Sequence, residues 1–162
     1  MEEKDWLEIW SGQNQLQGIA EMNETTQKFG LVLTVEDAKM LVERRRETLQ
    51  EQQRVEFGEG ILPKLIFAFC DSAYICQNNY ADTLMRLQEI FYLYKNESMD
   101  ELTDDELLEY MKRAFDGECE GSLEYLEETV LEEFARDIRR EGKSFFGRTY
   151  VIKGRGYADD EL

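Results

Sequence analysis

The sequence contains no histidine among its 162 residues. Histidine is the commonest general base near neutral pH and the commonest ligand of transition metals. Its absence excludes Ser/His and Cys/His catalytic pairs and histidine-ligated metal sites within this chain. An enzyme would have to use carboxylates alone, a carboxylate with a lysine, or a base supplied by a partner. The composition therefore disfavours catalytic activity without excluding it.

The sequence also has little proline, no cysteine spacing typical of disulfides and no long apolar run. Proline occurs once, at Pro63, and aromatic residues make up 12% of the chain, which is typical of folded helical proteins rather than disordered ones. The three cysteines, Cys70, Cys76 and Cys119, are irregularly spaced, which indicates reduced thiols. No apolar run reaches the ~18 residues of a bilayer span, and residues 1–5 lack the pattern of a signal peptide. We therefore expect a cytoplasmic protein with no membrane partner.

Apolar side chains recur three and four residues apart through most of the chain, which is the period of amphipathic helices. The segments that show it are 13–28, 34–53, 61–69, 79–95, 103–115 and 122–140. A chain of this length can bury a core without disulfides or a structural metal. We predict a mainly α fold, a compact bundle of about six helices. The helical domain is expected at residues 1–142, with a basic and aromatic extension at 143–162 that packs on it or frays.

Capping residues mark where several of these helices begin and end. Thr34 with Asp37, and Thr103 with Glu106, have the spacing of N-terminal caps. Gly30 stands where a glycine would end the first helix. These signals predict helix boundaries independently of the hydrophobic period.

The helical period is lost after Gly142. Residues 145–152 are rich in β-branched and aromatic side chains, which is typical of a strand. By composition, residues 31–33 are the plausible pairing partner. We therefore predict a minor two-stranded β element near residues 31–33 and 148–152.

The net charge is −17, and it is unevenly distributed. Between Glu97 and Glu133, fifteen acidic residues stand against two basic ones, whereas between Arg136 and Arg155 seven basic residues stand against two acidic ones. This asymmetry favours docking on a protein partner with a basic surface, or self-association. The alternative is a set of solvated helix faces with a soluble tail. Nucleic acid is disfavoured as a partner, because a chain of this charge repels polyanions.

Residues 116–127 have the spacing of an EF-hand calcium loop. Asp116, Glu118 and Glu120 fall at its first, third and fifth positions, a glycine follows at the turn, and Glu127 closes the loop. Calcium prefers converging oxygen ligands, and a terminal glutamate can bind it through both carboxylate oxygens. These four carboxylates are therefore the candidate metal ligands, with calcium as the candidate ion.

Three observations oppose the calcium reading. Glu118 and Glu120 are longer than the aspartate or asparagine usual at those positions, so they would crowd the ion. Ser122 is a good N-cap and predicts that a helix begins inside the loop. The sequence also lacks a second loop of this kind. The alternative is a glycine-containing connection between two helices, with acidic side chains facing solvent.

Two stretches of the sequence resemble a known family. Residues 55–65 and 115–126 look like an uncharacterised family of small proteins from Gram-positive anaerobic bacteria, and the likeness extends over residues 13–140. It rests on overall pattern and not on a catalytic signature. The resemblance implies a bacterial cytosolic protein and assigns no activity, cofactor or catalytic residue.

Three functions remain open from the sequence. The charge segregation and the missing catalytic groups favour an acidic helical accessory or adapter protein that acts by protein-protein interaction. The first alternative is a calcium- or metal-responsive regulator that uses the loop at 116–127. The second alternative is a carboxylate-based enzyme with a partner-supplied base.

Overall fold

The computed structural model describes the backbone of residues 3–58 and 60–141 and the side chains of residues 15–58 and 60–141. Within these residues the chain forms helices and no strand, which confirms the predicted mainly α fold. The first five helices are α1 (Glu3–Thr26), α2 (Val35–Glu51), α3 (Leu62–Phe69), α4 (Tyr80–Glu97) and α5 (Asp104–Asp116). The sixth, α6, is continuous through α-helical Leu123–Tyr125, a π-helical turn at Leu126–Val130 and α-helical Leu131–Glu141. None of these helices is both long and apolar enough to cross a membrane.

Helix α1 is longer than predicted. The apolar period predicted a helix from residue 13, but the helix is continuous from Glu3. Its two glycines, Gly12 and Gly18, are each tolerated in a helix interior at a cost of about 1 kcal/mol. The predicted end at Gly30 is confirmed, since this glycine has φ +80° after a 3-10 turn at Gln27–Phe29.

The predicted N-terminal caps of α2 and α5 are confirmed. The Thr34 hydroxyl accepts a hydrogen bond of 3.0 Å from the Asp37 backbone N–H, and the Thr103 hydroxyl accepts one of 3.1 Å from the Glu106 N–H. The Asp37 and Glu106 carboxylates in turn accept hydrogen bonds from the backbone N–H groups of Thr34 and Thr103. Val35, within the predicted helical segment 34–53, is 67% exposed. It is the first residue of α2, so it lies at the end of the helix and does not pack in the core.

The described residues divide into two compact units, the first ending at Glu89 and the second beginning at Ile90, within α4. The core of the first unit includes Ile19, Leu31, Leu41, Ile61, Leu62, Leu65, Ile66, Phe69, Tyr80, Leu84 and Leu87. The core of the second includes Phe91, Tyr92, Leu107, Met111, Phe115, Leu126, Leu131, Phe134 and Ile138. The apolar stripe predicted for α4 is buried throughout, as expected for core. The extension predicted at 143–162 lies outside the described residues.

Residues 31–33 form no helix or strand, and their backbone groups bond to side chains. The Gln77 carboxamide accepts from the Val32 N–H at 2.8 Å and donates to the Val32 carbonyl at 2.9 Å. The Asn23 carboxamide bonds both backbone groups of Leu33 in the same way, at 2.9 and 3.0 Å. Two amide side chains therefore supply the hydrogen bonds that a neighbouring strand would have made. The other predicted strand, at 148–152, lies outside the described residues.

The turn from α4 to α5 is built around a buried lysine. The Lys95 ammonium donates to the Leu102 carbonyl at 2.8 Å and lies 2.9 Å from an Asp104 carboxylate oxygen. Met99 and Asp100 both have φ +57° in this turn, a conformation that costs free energy in residues other than glycine. The bonds of Lys95 hold the turn closed and so fix where α5 begins.

Candidate functional site

The four predicted calcium ligands occupy different structural positions. Asp116 ends α5 and pairs with Lys112 at 3.2 Å. Glu118 and Glu120 lie exposed in the connection between α5 and α6, and Glu127 lies in the π-helical turn. In the described part of the chain, no group of three or more acidic or cysteine side chains is placed to hold a metal ion. The structure therefore does not bring the four carboxylates together, and calcium binding stays a prediction.

The connection between α5 and α6 closes on its own backbone. The Cys119 N–H bonds the Ala114 carbonyl at 2.9 Å, and the Gly121 N–H bonds the Phe115 carbonyl at 2.8 Å. The Ser122 hydroxyl caps α6 by accepting from the Tyr125 N–H at 3.1 Å, as predicted. Because these bonds use the backbone groups internally, the connection matches the predicted alternative of a glycine-containing link with solvent-facing acids.

The basic side chains of the second unit are neutralised within it. Residues 90–141 contain seventeen acidic residues and six basic ones, a net charge of −11. All six basic side chains form ion pairs inside this unit: Lys95, Lys112, Arg113, Arg136, Arg139 and Arg140. The described part of the predicted basic segment, residues 136–141, is therefore not a free positive surface. Residues 143–155 lie outside the described residues.

Besides Glu133, four exposed glutamates in the described part of this unit lack such compensation. Within the part of the chain that the structure describes, the side chains of Glu118, Glu120, Glu124 and Glu128 form no ion pair or hydrogen bond. Tyr125 lies among them in sequence and is 44% exposed. We call these five side chains, all within residues 118–128, the acidic patch. It combines uncompensated negative charge with an exposed aromatic ring.

Contacts from Tyr94 and Arg139 hold helix α6, which carries part of the acidic patch, in place. The Tyr94 hydroxyl donates to the Glu127 carbonyl in the π-helical turn at 2.6 Å, and lies 3.3 Å from a Glu132 carboxylate oxygen. Burial, followed by the nearby Glu132 carboxylate, raises the pKa of Tyr94, so the hydroxyl stays a donor near neutral pH. Arg139 bonds both the backbone and the carboxylate of Glu97 at 3.0 Å. The glutamates of α6 therefore project from a braced helix.

Cys119, which lies within the sequence range of the acidic patch, has an unreactive thiol. Cys119 is buried, and this burial together with the neighbouring Glu118 carboxylate raises the pKa of its thiol to about 11. A thiol with this pKa is almost wholly protonated near neutral pH, and the thiolate is the nucleophilic form. Cys119 is therefore a poor nucleophile, and burial is the larger cause.

Alkylation of the native protein should distinguish the three thiols. At about pH 7.5 we expect iodoacetamide to modify Cys76, which is exposed, and to spare Cys70 and Cys119, which are buried and therefore poorly accessible. Mass spectrometry after tryptic digestion gives the extent of modification at each site. Denaturation in urea is the control and should make all three reactive. Fast modification of Cys119 in the native protein would contradict the described burial.

Comparison with known proteins places this chain in a family of unknown function. The sequence model of a family of unknown function, DUF6323, matches residues 18–144, most of the chain. The chain belongs to the DUF6323 family. No curated protein and no solved structure matches it. The DUF6323 match includes the whole acidic patch, so the patch belongs to the family region and not to an appended tail.

Sequence reasoning found the glutamates of the patch but not its aromatic member. Tyr125 falls between Leu123 and Leu126, outside the apolar stripe predicted for this helix. Its position off the stripe was the available signal that it faces solvent. Four of the six basic side chains pair with a residue three or four positions away in the same helix, a spacing that the sequence shows. The pair of Arg139 with Glu97 has no such signal, because the two residues are 42 positions apart.

Proposed function

We propose that this DUF6323 protein is an accessory or adapter protein whose acidic patch docks a protein partner with a basic surface. The observation that supports this is the contrast within the second unit. Every described basic side chain there is ion-paired internally, while four glutamates around Tyr125 are left uncompensated. Unpaired charge steers a partner of opposite sign, and an exposed tyrosine is a frequent anchor in interfaces.

The setting that we propose is the cytoplasm of a Gram-positive anaerobic bacterium. The support is the family resemblance, the cysteine usage and the acidic composition. The missing histidine and the high pKa of Cys119 favour binding over catalysis as the role of this chain. The regulator and carboxylate-enzyme alternatives stay predictions.

Charge reversal on α6 tests the patch. We expect Glu124→Lys with Glu128→Lys to abolish capture of the physiological partner from lysate of the source cell, because both contacts become repulsive. The matched control is Glu24→Lys with Glu36→Lys, which changes two exposed, unpaired glutamates of the first unit and gives the same net charge. Capture is measured by quantitative mass spectrometry of proteins retained by each bait at about 150 mM salt.

The two baits separate a docking surface from general electrostatics. A partner retained by the wild type and the control, but lost with the reversed patch and weakened by Tyr125→Ala, supports the proposal. Equal loss with both charge-reversed baits would show that net charge alone governs capture, and the patch would then have no special role. Circular dichroism of each bait checks that helix content is unchanged.

A further inference from the structure

One face of α6 is exposed and carries negative charge beside an aromatic ring. Glu124 and Glu128 lie about one turn apart on this face and are exposed, and Tyr125 beside them is 44% exposed. Neither glutamate forms an ion pair or a hydrogen bond within the described part of the chain. Such a face attracts a segment that carries positive charge together with aromatic side chains.

Residues 143–155 have the charge that complements this face. The segment contains no acidic residue and four basic ones: Lys143, Arg148, Lys153 and Arg155. It also contains three aromatic residues: Phe145, Phe146 and Tyr150. The segment belongs to the second unit, and the six basic side chains in the described part of that unit are already ion-paired. The segment therefore holds the basic residues of this unit that can still balance the glutamates.

The segment is also long enough to reach the face. At 1.5 Å per residue, Glu128 lies roughly 20 Å and Glu124 roughly 26 Å back along α6 from Glu141, where the helix ends. An extended chain spans ~3.3 Å per residue, so Arg148 can lie up to roughly 23 Å from Glu141 and Lys153 up to roughly 40 Å. Arg148 is therefore within reach of Glu128. Lys153 is within reach of Glu124.

We propose that residues 143–155 dock on the exposed face of α6 in the same chain and cover the acidic patch. The segment runs back along the helix after Gly142, a residue type that reverses the chain at a helix end at little cost. Its basic side chains pair with Glu124 and Glu128, and one of its aromatic rings packs on Tyr125. Because the segment is tethered, it meets the face at an effective concentration in the millimolar range, so weak exposed ion pairs suffice.

The docked segment regulates the acidic patch, and this regulatory role rests on the proposed function. A basic partner has to displace the segment before it can bind, so the competition lowers the apparent affinity of the partner. The contact within the chain needs no partner, so it can be tested without one.

Carbodiimide cross-linking of the full chain tests the contact. The reagent joins a carboxylate to a lysine amine that touches it, and Lys153 supplies the amine. At about 2 μM protein and about 20 mM salt, we expect monomeric products in which Lys153 is linked to Glu124 or Glu128. The yield should fall about fivefold at about 500 mM salt, because salt screens exposed charge pairs. Mass spectrometry of the digested monomer identifies the linked residues.

Neutral variants separate a docked segment from general attraction. Arg148→Gln with Arg155→Gln leaves Lys153 as the reporter and should lower its cross-linking yield about fivefold, since the segment loses half its charge. The matched control is Lys28→Gln with Lys39→Gln, which neutralises two exposed lysines of the first unit and should leave the yield unchanged. Links of Lys153 mainly to first-unit carboxylates, links insensitive to salt, or cross-linked dimers as the main product would each overturn the proposal.

A peptide added in trans tests whether the face is occupied. The probe is a fluorescein-labelled peptide of residues 143–157, and its fluorescence anisotropy is followed at about 20 mM salt. The Arg148→Gln, Arg155→Gln protein should bind it about tenfold more tightly than the wild type, whose own segment competes. Adding Glu124→Gln with Glu128→Gln should remove this gain. Equal affinity of the wild type and the segment variant overturns the proposal.

The contact and the adapter role can fail separately. If the wild type cross-links as expected but the pull-down retains no partner, the contact is supported and the adapter role is overturned. If a partner is retained through the acidic patch but Lys153 forms no salt-sensitive link to α6, the contact is overturned and the adapter role stands.

Discussion

Replacing Gly60 by alanine is expected to lower the free energy of unfolding by about 3 kcal/mol. Two effects combine at this position. Residue 60 has φ +68°, where an L side chain costs about 1 kcal/mol. A Cβ there would also overlap the Glu56 carboxylate and lie 2.9 Å from Arg45 Nη2. To make room, the Glu56 carboxylate and the Arg45 guanidinium would have to shift from the positions in which they form their ion pair.

Gly58 offers a matched control within the same loop. It has the same φ of +68°, but a Cβ at this position would meet no atom within 4 Å. Gly58→Ala should therefore cost only the backbone term of about 1 kcal/mol. Urea denaturation followed by circular dichroism measures both values. Equal costs for the two variants would show that the ion pair tolerates the added methyl group and does not pack against residue 60.

Replacing Arg45 by methionine is expected to cost about 3 kcal/mol of stability. The side chains of Arg45 and Glu56 are only 8% and 16% exposed, so removing the arginine leaves a nearly buried carboxylate without its cation. An exposed pair in the same helix is the control. Arg46 pairs with Glu43, where the side chains are 44% and 54% exposed, and Arg46→Met should cost less than about 1 kcal/mol.

A double substitution separates the pair from its surroundings. Arg45→Met with Glu56→Leu removes both charges, so no buried charge is left unpaired, and we expect most of the lost stability to return. The coupling energy from the four urea denaturation curves should be about 2 kcal/mol. If the two single costs simply add in the double variant, the pair is not coupled and the loop is held by other contacts.

The three consecutive arginines show how far sequence reasoning reaches. Glutamates at helical spacing favour local ion pairs for Arg44, Arg45 and Arg46. Arg46 pairs locally with Glu43, whereas Arg44 pairs with Glu47 in its own helix and also with Glu89 at 2.7 Å. Arg45 points into the first unit and pairs with Glu56, eleven residues away. Which of three adjacent arginines is buried depends on the face of α2 that packs, which neighbouring charges do not reveal.

In the candidate site, too, local sequence spacing predicted some features and missed the long-range contacts. Sequence spacing alone singled out Asp116, Glu118, Glu120 and Glu127 as a possible ligand set, because their order matches a calcium loop. The structure instead brings together Tyr94 and the Glu127 carbonyl, 33 residues apart. It also leaves Glu124 and Glu128 exposed around Tyr125. Helical spacing indicates the ion pairs of four of the six basic side chains in this unit, whereas the pairs of Lys95 and Arg139 join residues farther apart in sequence.

The mainly α fold, the capped starts of α2 and α5 and the buried stripe of α4 could all be predicted from the amino-acid sequence. These features depend on side chains one to four residues apart, so they are encoded locally. The tertiary structure decided the inward turn of Glu56, the exposure of Val55 and Phe57, and the amide clamps on residues 31–33. These features depend on contacts between residues that are distant in sequence, and such contacts form only when the helices pack together.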